Sequence, residues 1–106
     1  MVIMRELGRV KQVVEEACGL EITHFYDDIV LVEHSAFLIR FDQVEQRDFH
    51  VYFNRDCRKE DRLKILSKLL KASEANGMYC IYSGSFSMEP KPGQEEIEIS
   101  FYEPAG

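Results

Sequence analysis

The chain has 106 residues, with 13 basic and 19 acidic side chains and a net charge of −6, which argues against nucleic acid as its main ligand because phosphate binding needs a local excess of Lys and Arg. A hydrophobic content of 45%, with seven Phe and five Tyr, suits one core in a single α+β domain over residues 1–106. Cys18, Cys57 and Cys80 are odd in number and lack CxxC spacing, so reduced thiols are expected; no apolar run approaches the ~20 residues of a membrane span, and MVIMRELGRV has charges where a signal peptide would be continuously apolar. The expectation is a soluble cytoplasmic protein.

Ile3, Leu7, Val10, Val14 and Ala17 recur at spacings of three and four, which predicts an amphipathic helix closed by Gly19. Gly8 inside it costs about 1 kcal/mol against Ala, which predicts a close approach by another element. From Leu20 to Asn54 the pattern becomes short β-rich runs: Glu21–Tyr26, Ile29–Glu33, Ala36–Phe41 and Phe49–Asn54. Their short connections, Asp27-Asp28, His34-Ser35 and Asp42–Asp48, predict an antiparallel meander. A second helix is expected over Arg58–Asn76, with Asp56 as N-cap and a buried stripe of Leu63, Ile65, Leu66, Leu69 and Leu70. Two strands close the chain, Met78–Phe86 and Glu96–Glu103, joined by the mobile tip SMEPKPGQE. The expected order is therefore α-β-β-β-β-α-β-β, with two helices on an antiparallel sheet of five to six strands.

Alternation sorts the meander into two faces. Ile29, Leu31, Phe37, Ile39, Phe41, Phe49, Val51 and Phe53 make one apolar face, expected beneath the helices. The other carries Val30, Val32, Ala36, Leu38, Arg40, His50, Tyr52 and Asn54, too apolar for a face open to water. It is expected either to be a docking seam formed by Val30, Val32, Leu38, Arg40, His50 and Tyr52, or to be covered because the helices straddle the sheet. A one-residue slip exchanges the two faces. If the seam exists, Leu38→Asp or Tyr52→Asp weakens assembly without unfolding the monomer.

Charge is lopsided. Residues 55–71 carry seven basic and three acidic side chains, a local +4, against −10 elsewhere. Arg55, Arg58, Lys59 and Arg62 form a basic patch suited to an acidic segment, such as the acidic surface of a second copy, or a solvated helix face. Cys57 beside Arg58 and Lys59, at a helix start, is where a thiol pKa can fall; a surface thiol is the plainer reading. His24, His34 and His50 lack metal-ligand spacing, and Asp27-Asp28, Glu15-Glu16 and Glu95-Glu96 read as turn and surface carboxylates. No nucleotide-binding or hydrolase motif occurs. No catalytic residue, metal or cofactor is expected.

The order of elements, and the stretch HFYDDIVLVEHSAFLIRFDQ in particular, resembles the small acidic chaperones of type III secretion over about residues 3–83. The resemblance implies a cytoplasmic homodimer that binds an extended client segment, with apolar contacts at Val30, Val32, Leu38 and Tyr52. Those chaperones usually end in a helix, where this chain has a strand and Pro104-Ala105-Gly106. The function expected is a non-enzymatic, chaperone-like interaction module that self-associates through a sheet face. The alternative is a small-molecule binder or thiol-using enzyme near Cys57 that draws on His50 or Arg40.

Overall fold

The computed structural model of the chain describes residues 2–26, 28–33, 36–42, 44, 47–90, 92–93 and 97–103, with the side chains of residues 2–7, Tyr26, Pro90 and Ile97 left aside. The turn positions Asp27, His34 and Ser35, the pair Glu95-Glu96, the last three residues and the side chains of Ile3 and Leu7 lie outside this description. Helix α1 spans Val2–Cys18 and α2 spans Lys59–Ala75; the strands are β1 (Ile22–Tyr26), β2 (Ile29–Val32), β3 (Phe37–Phe41), β4 (Asp48–Asn54), β5 (Tyr79–Pro90) and β6 (Ile97–Tyr102). Helix α1 stops where Gly19, at φ 67°, takes the left-handed conformation and its N–H closes on the Glu15 carbonyl at 2.9 Å. Gly8 is exposed and a Cβ there would meet nothing within 4 Å, so no element approaches it.

The six strands form one sheet in chain order, with neighbouring pairs antiparallel except β4 and β5, which run parallel. The sheet is mixed, which corrects the expectation of a wholly antiparallel one. The connection between β4 and β5 contains α2, and a helix-containing crossover is what permits a parallel return. Strand β5 also continues through Ser87–Pro90, residues expected in a loop.

Both helices cover one face. Val10, Val13 and Val14 of α1, and Leu69 and Ala72 of α2, share a core with Val30 and Val32 of β2, Phe37 and Ile39 of β3, and Phe49, Val51 and Phe53 of β4. The register explains the grouping: Val30 lies opposite Ile39, and Ile39 opposite Val51. Val30 and Val32 are therefore buried under the helices and not on the outer face, while Ile29 and Leu31 point away. The β2 phase is one residue from that expected, and every β2 side chain changes side as a result.

The outer face has a core of its own. Leu38 and Phe86 are fully buried yet stand apart from the helix-side cluster. Leu38 is flanked in register by Leu31 and Tyr52, and Phe86 by Phe101. The Tyr52 and Phe101 rings meet at 4.7 Å, although β5 lies between their strands. Flat strands two places apart would be about 9.6 Å from each other, so the rings lean together over β5.

That closure follows from a β-bulge. The β4–β5 register shifts between Val51 and Tyr52, leaving Ser83 as the extra residue between Tyr82 and Gly84. Bulges bend a strand and increase its twist. Gly84, the partner of Tyr52, has φ 141°, and a Cβ on it would run into the backbone carbonyl of Tyr102. Gly84→Ala is expected to lower stability by about 2–4 kcal/mol, from backbone strain and the forced retreat of β6. Urea denaturation checks this, and a loss under about 0.5 kcal/mol, the size of an ordinary surface change, contradicts it.

Candidate functional site

Of the six residues expected to form a docking seam on the outer face, Val30 and Val32 are in the helix-side core and Leu38 is sealed on the outer one. Leu38→Asp would therefore place a carboxylate in a closed apolar site, striking the fold itself. Arg40, His50 and Tyr52 remain on the outer face, half-buried and engaged with their own chain. Arg40 Nε donates to Asp28 Oδ2 at 3.0 Å, and its guanidinium stands 5.3 Å from the centre of the Phe101 ring. The hydrogen bond to Asp28 raises the Arg40 pKa, so this cation is fixed in place.

His50 links three strand regions. Its Nε2 lies 2.9 Å from Asp42 Oδ1 and its Nδ1 lies 2.7 Å from Ser83 Oγ. With the proton on Nε2 donating to the carboxylate, the neutral ring accepts the Ser83 hydroxyl proton at Nδ1. Hydroxyl, imidazole and carboxylate in this order also occur in activated-serine sites. Here they brace the bulge: Ser83 is the inserted residue, His50 belongs to β4, and Asp42 follows β3. The Ser83 hydroxyl also lies 3.3 Å from the Ile81 carbonyl.

The basic patch divides into two kinds of residue. Arg62 is half-buried and acts as a clamp on the β4–α2 turn, with Nε donating to the Cys57 carbonyl at 2.9 Å and Nη2 to the carbonyls of Asn54 and Arg55 at 3.2 and 3.1 Å. Arg55 is exposed and stacks 4.5 Å from the centre of the Tyr102 ring. Arg58 and Lys59 are exposed at the start of α2. The N-cap is Arg58, without a side-chain cap bond, and not Asp56. Asp56 instead lies in a turn in which its N–H donates to Asn54 Oδ1 at 2.9 Å.

Beside this patch runs a surface that the sequence pattern had assigned to the core. Leu63 and Leu70 were expected to be buried, but they are 59% and 46% exposed. The buried side of α2 is centred on Leu69, Ala72 and Ser73, with Ile65 and Leu66 partly covered. At 100° per residue, Leu63 and Leu70 fall roughly 100–120° from that centre, on the flank. Leu63, Leu66, Cys57 and Arg62 line one groove of about 540 Å³ whose opposite wall is Phe53, Tyr82 and Ser85, with Lys59 and Glu103 at its margins. A second groove, of about 400 Å³, lies two helical turns further along and is lined by Leu70, Met78, Tyr79 and Cys80, with Arg47 and Glu74 at its edge. Tyr79 and Tyr82 are 59% and 40% exposed. Leu63 and Tyr82 thus stand exposed at the first groove, and Leu70 and Tyr79 at the second.

The surroundings of the thiol at this site favour its neutral form. Burial pushes the Cys57 pKa up, and Asp61 adds to the rise; Arg62 opposes both without reversing them. The fall that a helix start and its cations can cause is outweighed here by burial. Cys18 is raised as well, again chiefly by burial, and burial pushes Cys80 up to about 12. Among the described residues, no group of three or more His, Cys, Asp or Glu is placed to hold a metal ion, and no helix is long and apolar enough to cross a membrane. No family model, curated protein or solved structure matches this chain.

The raised Cys80 pKa sets a pH dependence. The unfolded thiol, with an ordinary value near 9, gives up its proton first, so the stability that the buried neutral thiol confers is intact below that pH and is lost as pH rises from about 9 towards about 12. Between about pH 8 and about pH 10.5, the wild-type chain should lose more stability than Cys80→Ala, with a difference in slope approaching 1.4 kcal/mol per pH unit. Parallel urea titrations of the two chains check this. Superimposable pH profiles contradict it.

Proposed function

We propose that this chain is a protein-interaction module whose docking surface is the open flank of α2 together with β5, and that it takes up an acidic, amphipathic segment of a protein partner. The observation that carries the reading is that two grooves two helical turns apart on α2 each hold exposed large side chains, Leu63 and Tyr82 in one and Leu70 and Tyr79 in the other. Large apolar side chains clustered on a surface mark contact sites more often than chance exposure does. Two grooves spaced along a helix suit an extended or helical segment better than a compact small molecule.

Charge favours an acidic occupant. Lys59 and Arg62 outnumber Glu103 at the first groove, Arg47 is balanced by Glu74 at the second, and Arg55 and Arg58 add positive charge at the α2 start. Such a margin speeds encounter and sets orientation, and apolar burial in the grooves supplies most of the affinity. The proposal shifts the contact from the outer sheet face to the opposite side of the sheet, because Leu38 is closed off by its own chain. The thiol-enzyme alternative gains no support from the raised Cys57 pKa.

A labelled synthetic peptide alternating Glu and Leu serves as the probe, and fluorescence anisotropy reads its binding. Leu63→Ser and Leu70→Ser should each weaken binding by about tenfold, the size of losing one apolar anchor. Both residues are exposed, so the melting temperature should stay close to wild type. Equal affinity for both variants and the wild-type chain would remove the flank as the binding surface.

A further inference from the structure

The end of the sheet beyond β4 is a two-stranded ribbon. Strand β4 accompanies β5 only as far as Phe86, whereas β5 and β6 stay paired from Phe86 with Phe101 out to Pro90 with Ile97. A ribbon of two strands is marginal alone in water and gains stability when another surface covers it. Its two faces differ. Met88 lies opposite Ile99 on one face, both half-buried. On the other, Glu89 lies directly opposite Glu98, and both carboxylates are exposed. Like charges facing each other across a strand pair are unfavourable, and a cation placed between them removes the penalty. Residues 87–103 carry five acidic side chains and one basic, a local −4 that matches the +4 of residues 55–71.

The ribbon and the basic flank adjoin one another. The Arg55 N–H donates to the Phe86 carbonyl at 3.0 Å, and a shallow groove at the ribbon's base is lined by Asn54, Arg55, Asp56, Ser87, Met88 and Glu89. Glu103, one residue past β6, borders the first α2 groove. Two unlike, complementary patches that share a border are what a two-fold axis requires, since each patch then meets its counterpart on the other copy.

We propose that the chain forms a reciprocal dimer in which the acidic β5–β6 ribbon of each copy lies on the basic, apolar α2 flank of the other. Glu89 and Glu98, on the helix-side face of the ribbon, meet Arg58 and Lys59 at the start of the other copy's α2, while Met88 and Ile99 stay on the outer face with Phe86 and Phe101. The occupant of the docking surface is then a second copy of this chain. This rests on the flank being a docking surface for acidic segments, and it names the segment.

The test is a charge exchange read by sedimentation equilibrium on the full chain, with the Glu-Leu probe peptide as a second readout. Lys59→Glu and Glu98→Lys should each weaken dimerisation by about tenfold or more, because either change puts like charges together at both symmetric contacts. An equimolar mixture of the two variants should restore the dimer as a heterodimer, and Lys59→Glu/Glu98→Lys in one chain should restore a homodimer. Both positions are exposed, and the circular dichroism of each variant reports that the fold is intact. A wild-type chain that is monomeric at its highest soluble concentration but binds the probe overturns the dimer and leaves the flank reading standing. A monomer that ignores the probe overturns both, and a dimer indifferent to the reversals, or not restored by mixing, overturns the proposed interface.

Discussion

The extra residue that Ser83 inserts into β5 shapes both surfaces of the molecule. It breaks the β4–β5 register after Val51 and brings Gly84, at φ 141°, against the Tyr102 carbonyl. The bend lets Phe101 reach Tyr52 across β5, and the pair helps to seal Leu38 and Phe86 into a second core. Arg40 completes the cover from β3, held by Asp28 on one side and by the Phe101 ring on the other. The chain of Ser83, His50 and Asp42 ties the inserted residue to two neighbouring strand regions. Without the bulge, the outer face would be the half-apolar sheet that its composition suggests, and it would need a partner.

With Leu38 and Phe86 closed over by their own chain, the α2 flank is one of the places where large apolar side chains stay exposed. Two helices on one face of a six-stranded sheet cannot cover its full width, since a helix is about 10 Å across and six strands span about 24 Å. The remaining helix-side floor over β5 and β6 is largely polar, with Ser85, Ser87 and Ser100 among its residues. At the step between that floor and α2, Leu63, Leu70, Tyr79 and Tyr82 stand exposed; Phe25, Val44, Ile81 and Tyr102 are exposed elsewhere among the described residues. The Arg62 clamp fixes the start of this step by holding three carbonyls of the β4–α2 turn. One basic side chain thus serves the fold, while its neighbours Arg58 and Lys59 are left facing solvent.

Much of this architecture is legible in the residues. The Val10, Val14 and Ala17 spacing marks α1, and Gly19 marks its end. In β4 aromatic and β-branched residues alternate with polar ones, and in β3 Arg40 sets the phase, clearly enough to fix the helix-facing side. Strand β2 was ambiguous because Ile-Val-Leu-Val is apolar in both phases, so only the pairing of Val30 with Ile39 decides which side is buried. The parallel pairing was hidden because a helix between strands is compatible with either direction. Pro90 and Pro92 disguised the extension of β5, since proline near a strand end reads as a loop. The docking surface was misread for a different reason: Leu63 and Leu70 fit a stripe of four leucines and Ile65 that is wider than the contact α2 makes. The helical angle of those two residues relative to Leu69 and Ala72 was the available signal.

Closure of the outer face by the chain itself is what the rest follows from. Nuclear magnetic resonance on the isotope-labelled chain, with a soluble paramagnetic agent added, tests it directly. Cross-relaxation is expected between the ring protons of Tyr52 and Phe101, along with Leu38 methyl signals that the agent leaves sharp. Leu38 methyls broadened like those of a surface residue, with no contact between the two rings, would contradict it and return the outer sheet face to the place of the docking surface.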